Sequence, residues 1–200
     1  MNKLLPFILL FVSLQATAGL IINISDNGSG KSQFDLSGSD IVSSSGQFNN
    51  GIWFNDLYEY GAVAGDHSKG SGEFSVLSGA GGYDVGSGSW AINGFYVNGT
   101  AGGADWELAI GRSSGALAAN AGDAIEFYGS LVADIDYSWF VAGTYFFDTL
   151  GPFSNNELGL TDGLTLVIGD LVEVPAPSTL ALFGLGLIGI GWTRRKKQTA

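Results

Sequence analysis

The chain has 200 residues, a formal net charge of −11 at pH 7 and no cysteine. This length fits a single globular domain. The absence of cysteine excludes disulfides, a thiolate metal site and a cysteine nucleophile. The acidic balance repels nucleic acid, so we expect no nucleic-acid partner.

The first eighteen residues have the layout of a secretory signal peptide. Met1-Asn2-Lys3 is positively charged and residues 4–14 are apolar, while Ala16 and Ala18 are the small residues that a signal peptidase requires. The apolar part is shorter than the ~20 residues of an ordinary membrane-spanning helix. We therefore predict a cleaved signal peptide over residues 1–18, with Ala16 and Ala18 as the signal-peptidase site.

Residues 19–173 then form the predicted exported domain. All nineteen acidic residues lie in it together with only three basic ones, Lys31, Lys69 and Arg112, which leaves a net charge of −16. Such a charge favours solubility and loose association with cations or with neutral polymers. Because the domain has no disulfides, we expect packing alone to stabilise it.

The exported domain has the pattern of short strands joined by turns. Apolar and polar residues alternate with period two, and Asn-Gly or Asp-Gly pairs such as Asp162-Gly163 indicate tight turns. No segment has a sustained helical stripe, although residues 116–124 come nearest. We predict an all-β fold, an antiparallel β-sandwich or jelly roll. The predicted strands cover residues 20–24, 33–36, 48–54, 73–77, 90–97, 106–110, 125–128, 137–142 and 164–168.

One short pattern resembles a hydrolase nucleophile. Residues 111–115 fit G-x-S-x-G with Ser113 at the centre, a pattern that needs a histidine base later in the chain. His67, the single histidine, precedes Ser113, and no helix is predicted after residue 115. A secreted hydrolase is therefore the least favoured function, and we predict no catalytic residues.

Two pairs of carboxylates, Asp105/Glu107 and Asp134/Asp136, are spaced two residues apart. On a strand such pairs project from one face, about 6.5–7 Å apart, which is close to the separations that glycosidases use. Without a cleft around them, a solvated sheet face is the simpler interpretation.

Two oxygen-rich segments, residues 26–30 and 79–84, are candidates for a structural Ca²⁺ site. Calcium takes oxygen ligands from carboxylates, amides and backbone carbonyls in loops. Neither segment is an EF-hand loop, so the prediction remains that the protein needs no cofactor, with Ca²⁺ as the candidate exception.

Aromatic residues offer a possible sugar-binding surface, because tryptophan and tyrosine combine an apolar ring with a polar group. Trp106 and Trp139 fall on apolar faces and are expected in the core. Trp53 and Tyr58, which have acidic neighbours, are the better surface candidates, but burial in the core remains the favoured interpretation for the aromatic residues. A carbohydrate-binding sandwich, with or without Ca²⁺, is therefore the alternative function.

The C-terminal residues 174–200 have three parts in fixed order. A proline box contains Pro175, Ala176, Pro177 and Ser178, and an apolar run covers residues 180–192. The prolines interrupt regular structure and so end the folded domain. The apolar run predicts a short transmembrane helix, and the following basic residues hold its end on the cytoplasmic side. The basic cluster is Arg194, Arg195, Lys196 and Lys197.

This tail resembles the PEP-CTERM sorting signal of exported proteins in Gram-negative bacteria, with Ala176 where the family usually has glutamate. The resemblance implies anchoring in the inner membrane with a periplasmic domain, and then processing near the proline box by an exosortase, a membrane protease. It also implies a final place at the cell surface or in the extracellular matrix, together with exopolysaccharide and biofilm. We therefore expect a non-enzymatic exported protein whose partners are the exosortase, the membrane and matrix polysaccharide.

Overall fold

The computed structural model describes residues 19–49, 51–54, 57–64, 71–99, 106–111, 116–151 and 157–169. The chain separates into two units, Met1–Gly169 and Asp170–Ala200, and every described residue lies in the first. The described residues form an all-β fold, as predicted, with a single-turn 3-10 helix at Tyr137–Trp139. The strands are β1 (Leu20–Asp26), β2 (Lys31–Ser37), β3 (Ser39–Ser44), β4 (Gly46–Asn49), β5 (Ile52–Phe54), β6 (Gly72–Val85), β7 (Gly88–Ala91), β8 (Gly94–Gly99), β9 (Trp106–Ile110), β10 (Ala116–Ala119), β11 (Ala124–Asp136), β12 (Gly143–Leu150) and β13 (Leu158–Ile168).

Most of the strands belong to one hydrogen-bonded sheet. Its order is β12-β13-β1-β2-β11-β6-β8-β9-β5, with β7 beside β6, while β10 and β4 form a separate pair. Among the described strands, β1 and β13 are the one parallel pair. Trp53 of β5 and Gly151, just after β12, exchange two backbone hydrogen bonds of 3.1 Å. The two ends of the strand order therefore meet, and the sheet closes around the core.

The core lies inside this closed sheet and is built from alternating residues. In β11, Ile125, Phe127 and Leu131 are buried while the residues between them face outward, which confirms the predicted alternation. Phe34 of β2 and Phe95 of β8 stack with ring centroids 4.7 Å apart, although their strands lie three places apart in the order. Strands distant in the sheet thus face each other across the core.

Several predicted strands have different bounds in the structure. The predicted strand at residues 48–54 is two strands, β4 and β5, because Gly51 adopts φ +120° and a Cβ there would collide with the carbonyl oxygen of Gly111. The predicted strand at residues 90–97 is likewise divided into β7 and β8. Residues 116–119, the most helix-like by sequence, form β10 and pair with β4. The predicted turn at Asp162-Gly163 lies within β13.

The predicted strand at residues 137–142 is wrong. The Asp136 side chain accepts a hydrogen bond of 2.9 Å from Ser138 N–H and so caps the 3-10 helix. Local capping of this kind competes with strand pairing. Trp139 then packs from the helix onto Phe74, edge to face at 5.7 Å. Its expected place next to the core is confirmed, but on a different element.

No helix in the part of the chain that the structure describes combines the length and apolar character needed to cross a membrane. The transmembrane helix predicted at residues 180–192 lies outside those residues.

Alkaline pH should destabilise the protein through Tyr83, whose side chain is buried in the core. Burial raises the pKa of this phenol above its ordinary value of about 10. The unfolded chain therefore loses the proton first, so this contribution to stability is complete below pH ~10 and is lost as the pH rises further. We expect the melting temperature to fall more steeply in the wild type than in Tyr83→Phe above pH ~10. Tyr128→Phe, which changes an exposed side chain, should follow the wild type; equal slopes for all three proteins would contradict the prediction.

Candidate functional site

The most unusual site in the described fold is the place where β1 enters the sheet. The first part of β13 pairs directly with β3, at Gly159–Ser44 and Leu160–Val42. The second part pairs with β1, beginning at Leu20–Leu164. Between these two parts β13 changes partner. We call this point the sheet split and define it by Gly19, Asp40, Asp162 and Gly163.

Asp40 supplies the carboxylate at the sheet split, and its side chain is only 1% exposed. Its Oδ2 accepts hydrogen bonds from the N–H groups of Gly163 (2.9 Å) and Asp162 (3.1 Å). Its Oδ1 accepts one from Ile41 N–H at 2.6 Å. The side chain thus replaces the strand pairing that β13 loses between β3 and β1.

Gly19 lies against the other side of the same point. A Cβ at this position would be 2.5 Å from the carbonyl oxygen of Gly163 and 3.3 Å from that of Asp162. Real Cβ atoms do not approach backbone oxygens so closely, so glycine is required there. Gly163 itself adopts φ +83°, a conformation that glycine adopts without steric penalty.

Sequence reasoning missed this site. Asp40 stands in a run of serine and glycine that is typical of loops, and Asp162-Gly163 has the signature of a hairpin turn. The sequence carries no sign that the two segments meet, because they lie more than a hundred residues apart. An acidic residue on the apolar side of β3, two positions before buried Val42, is the signal that could have found it.

The predicted processing sites lie outside the described residues. This holds for Ala16 and Ala18 of the signal peptide and for the proline box and basic cluster of the tail. It also holds for His67 and Ser113, so the hydrolase arrangement has no geometry to test.

The structure contradicts the surface alternative for Trp53 and agrees with the favoured interpretation, burial. This side chain is on the outer face of β5, as alternation requires, but it is only 6% exposed. Tyr96 of β8 covers it, with ring centroids 5.7 Å apart, across the small residue Ala109 of the intervening strand. Tyr58 is partly buried against the core. The two rings therefore do not form an exposed line.

The carboxylate pairs have structural roles where they are described. Asp134 forms a 2.6 Å ion pair with Lys31, while Asp136 caps the 3-10 helix. Glu107 accepts a 3.0 Å hydrogen bond from its cross-strand neighbour Asn98, and its partner Asp105 is outside the described residues. The simpler interpretation, a solvated sheet face, fits Asp134 and Asp136, since both are exposed.

The candidate calcium segments are also occupied by the protein's own groups. In the loop after β1, Asp26 Oδ1 accepts from Gly28 N–H (2.8 Å) and Gly30 N–H (2.9 Å). Asn27 Oδ1 accepts from Ser29 and Lys31. Residues 79–84 are not a loop at all but part of β6. Within the described ranges no group of three acidic or histidine side chains could hold a metal ion.

Removing the Trp53 side chain should affect stability and not a binding surface. Truncating a buried aromatic residue leaves a cavity, so Trp53→Ala should lower the free energy of unfolding by about 3–5 kcal/mol. Tyr60→Ala is the matched control, because Tyr60 is 51% exposed and should change it by about 1 kcal/mol or less. Urea unfolding measures both. A Trp53→Ala protein of unchanged stability that no longer binds a matrix polysaccharide would restore the surface role.

Comparison with known proteins concerns the tail. Residues 173–196 match the family model of the PEP-CTERM protein-sorting motif. No curated protein and no solved structure matches the chain. The C-terminal end of the chain thus carries a PEP-CTERM sorting motif, which supports export, membrane anchoring before processing, and sorting by an exosortase.

Proposed function

We propose that the chain is a non-enzymatic surface or extracellular-matrix protein of a Gram-negative bacterium that is delivered by its C-terminal motif. After export, residues 180–192 hold it in the inner membrane with the domain in the periplasm. The exosortase then acts near Pro175, Ala176 and Pro177 and transfers or releases the domain. In this proposal the mature protein associates with exopolysaccharide in a biofilm.

The observation that carries the proposal is the position of the motif. The last described strand ends at Ile168, and the motif begins at residue 173. Only a few residues of the chain separate them, so a protease acting at the proline box would release the whole folded domain without cutting it. The apolar run is shorter than an ordinary spanning helix, which suits a temporary anchor.

The sheet split supports the other end of the proposal, cleavage of a signal peptide before Gly19. Beyond the N-terminal end of β1, β13 pairs directly with β3 at Leu160 and Val42. Gly19 lies immediately before β1, and it is also the residue that signal peptidase would leave at the N-terminus.

A role without catalysis is supported by the groups that the domain displays. A shallow groove beside β6 and β8 contains one ionisable side chain, Glu73. The other acidic side chains described above are engaged in a cap, a loop, an ion pair or hydrogen bonds within the sheet. Hydrolysis would require a nucleophile or acid and a base that converge on one point.

We further propose that the closed sheet is a β-sandwich. Its support is that Phe34 and Phe95 lie on strands that are far apart in the order and yet stack across the core. The alternative function, carbohydrate binding by this sandwich, loses its main support with the burial of Trp53. It would now depend on scattered exposed rings such as Tyr60 and Phe146.

Processing at the proline box is the testable step. We expect the mature C-terminus to lie near Pro175–Pro177 when the chain is expressed with an exosortase, and at Ala200 without it. Ala176→Glu restores the usual family residue and should increase the processed fraction. Ala121→Glu adds the same charge in an exposed turn and should not. Mass spectrometry of the intact chain measures the C-terminus of the wild type with and without exosortase and of both variants with it. An intact tail in every sample would contradict processing and leave a simple membrane-anchored protein.

A further inference from the structure

The Asp40 carboxylate has no positive partner among the described residues. Its hydrogen bonds all come from neutral backbone N–H groups of Ile41, Asp162 and Gly163. Lys31, the one cation in those ranges, is paired with Asp134. For a carboxylate that is 1% exposed, a charge of opposite sign close by would offset part of the cost of burial.

Gly19 lies close to the backbone that binds this carboxylate. In the register of β1 and β2, Ile21 lies opposite Ser37, the last residue of β2. The N-terminal end of β1 therefore lies at the end of β2 from which the chain continues into β3 and Asp40. On its other side Gly19 touches the carbonyls of Asp162 and Gly163, whose N–H groups bind Asp40.

We propose that Asp40 is the binding site for the α-ammonium group that cleavage before Gly19 creates. This inference rests on the proposed signal peptide. The new group carries a positive charge at neutral pH, since the ordinary pKa of an α-amino group is about 8. The carbonyl oxygens of Asp162 and Gly163 also lie close to Gly19. Maturation of the chain thus adds an ion pair inside the sheet, and the uncut chain lacks it.

The partly buried position of the site makes this pair stronger than one at the surface. Exposed ion pairs are screened by water and contribute little, but Asp40 is shielded and already held by its backbone donors. The placement is also sensitive to chain length. One additional residue at the N-terminus would displace the ammonium group by about 3.5 Å, which is more than the length of a hydrogen bond.

The test compares two chains that differ by one residue. Chains 19–200 and 18–200 are produced in mild detergent behind a removable leader whose protease leaves Gly19 or Ala18 as the first residue. We expect the melting temperature of the Gly19 chain to be higher by about 3 °C or more. The difference should disappear in Asp40→Asn and persist in Asp148→Asn, which removes an exposed charge from β12. Equal melting temperatures, or a difference that persists in Asp40→Asn, would overturn the proposal.

A second measurement does not require Asp40→Asn to fold. An amine-acylating reagent should modify the Gly19 α-amine of the folded chain at least about ten-fold more slowly than in urea, since an ion-paired, partly buried amine is a poor nucleophile. The Ala18 α-amine should show no such protection. Equal rates for the folded Gly19 and Ala18 chains would contradict the inference.

The native N-terminus distinguishes failure of this proposal from failure of the proposed export. If the chain recovered after export begins at a residue other than 19, the proposed cleavage site and this inference are both wrong. If it begins at Gly19 and its amine is unprotected, only the role of Asp40 is wrong.

Discussion

The hydrogen bonds of the buried Asp40 carboxylate hold together the two parts of the sheet. At this point β13 leaves β3 and takes β1 as its partner, so its backbone N–H groups at Asp162 and Gly163 lose a strand neighbour. Asp40 supplies the missing acceptors. Without it, the buried N–H group of Gly163 would remain unsatisfied, at a cost of about 1–3 kcal/mol. The carboxylate therefore stabilises the point at which β1 enters between β13 and β2.

The position of β1 in the sheet also constrains when this strand can pair during folding. β1 is the first strand in the chain, yet it lies between β2 and β13, and β13 is the last described strand. Pairing of β1 with β13 therefore requires the whole domain to be present. Contacts between residues so distant in sequence form slowly. A chain that is held at the membrane by its C-terminal residues has emerged completely before this pairing is needed, so temporary anchoring and this topology are compatible.

The sequence predicted the strands that are buried on one face only. It failed where contacts between distant segments determine the structure. Ile125 and Phe127 alternate in a strand that is buried on one face, so period two is visible. Trp53 belongs to a part of the sheet that is covered on both faces, whereas its acidic sequence neighbours suggested an exposed side chain. Asp136 ends β11 because its side chain caps a helix, which a pattern of apolar residues does not reveal. The sheet split depends on residues 40 and 162, whose local sequences are both typical of turns. The sorting motif was predictable because its meaning lies in the order of residues along the chain and needs no fold.

The acidic charge of the domain is relevant both to its export and to the proposed cleavage before Gly19. In the described residues a single ion pair, Lys31–Asp134, joins two partly exposed side chains, and such a pair contributes little to stability. The remaining acidic groups keep the surface negative, which opposes aggregation during and after export. Among the described residues, no cationic side chain pairs with Asp40, since Lys31 pairs with Asp134. In the proposed maturation, the new N-terminus at Gly19 adds a positive charge close to the backbone that binds this carboxylate.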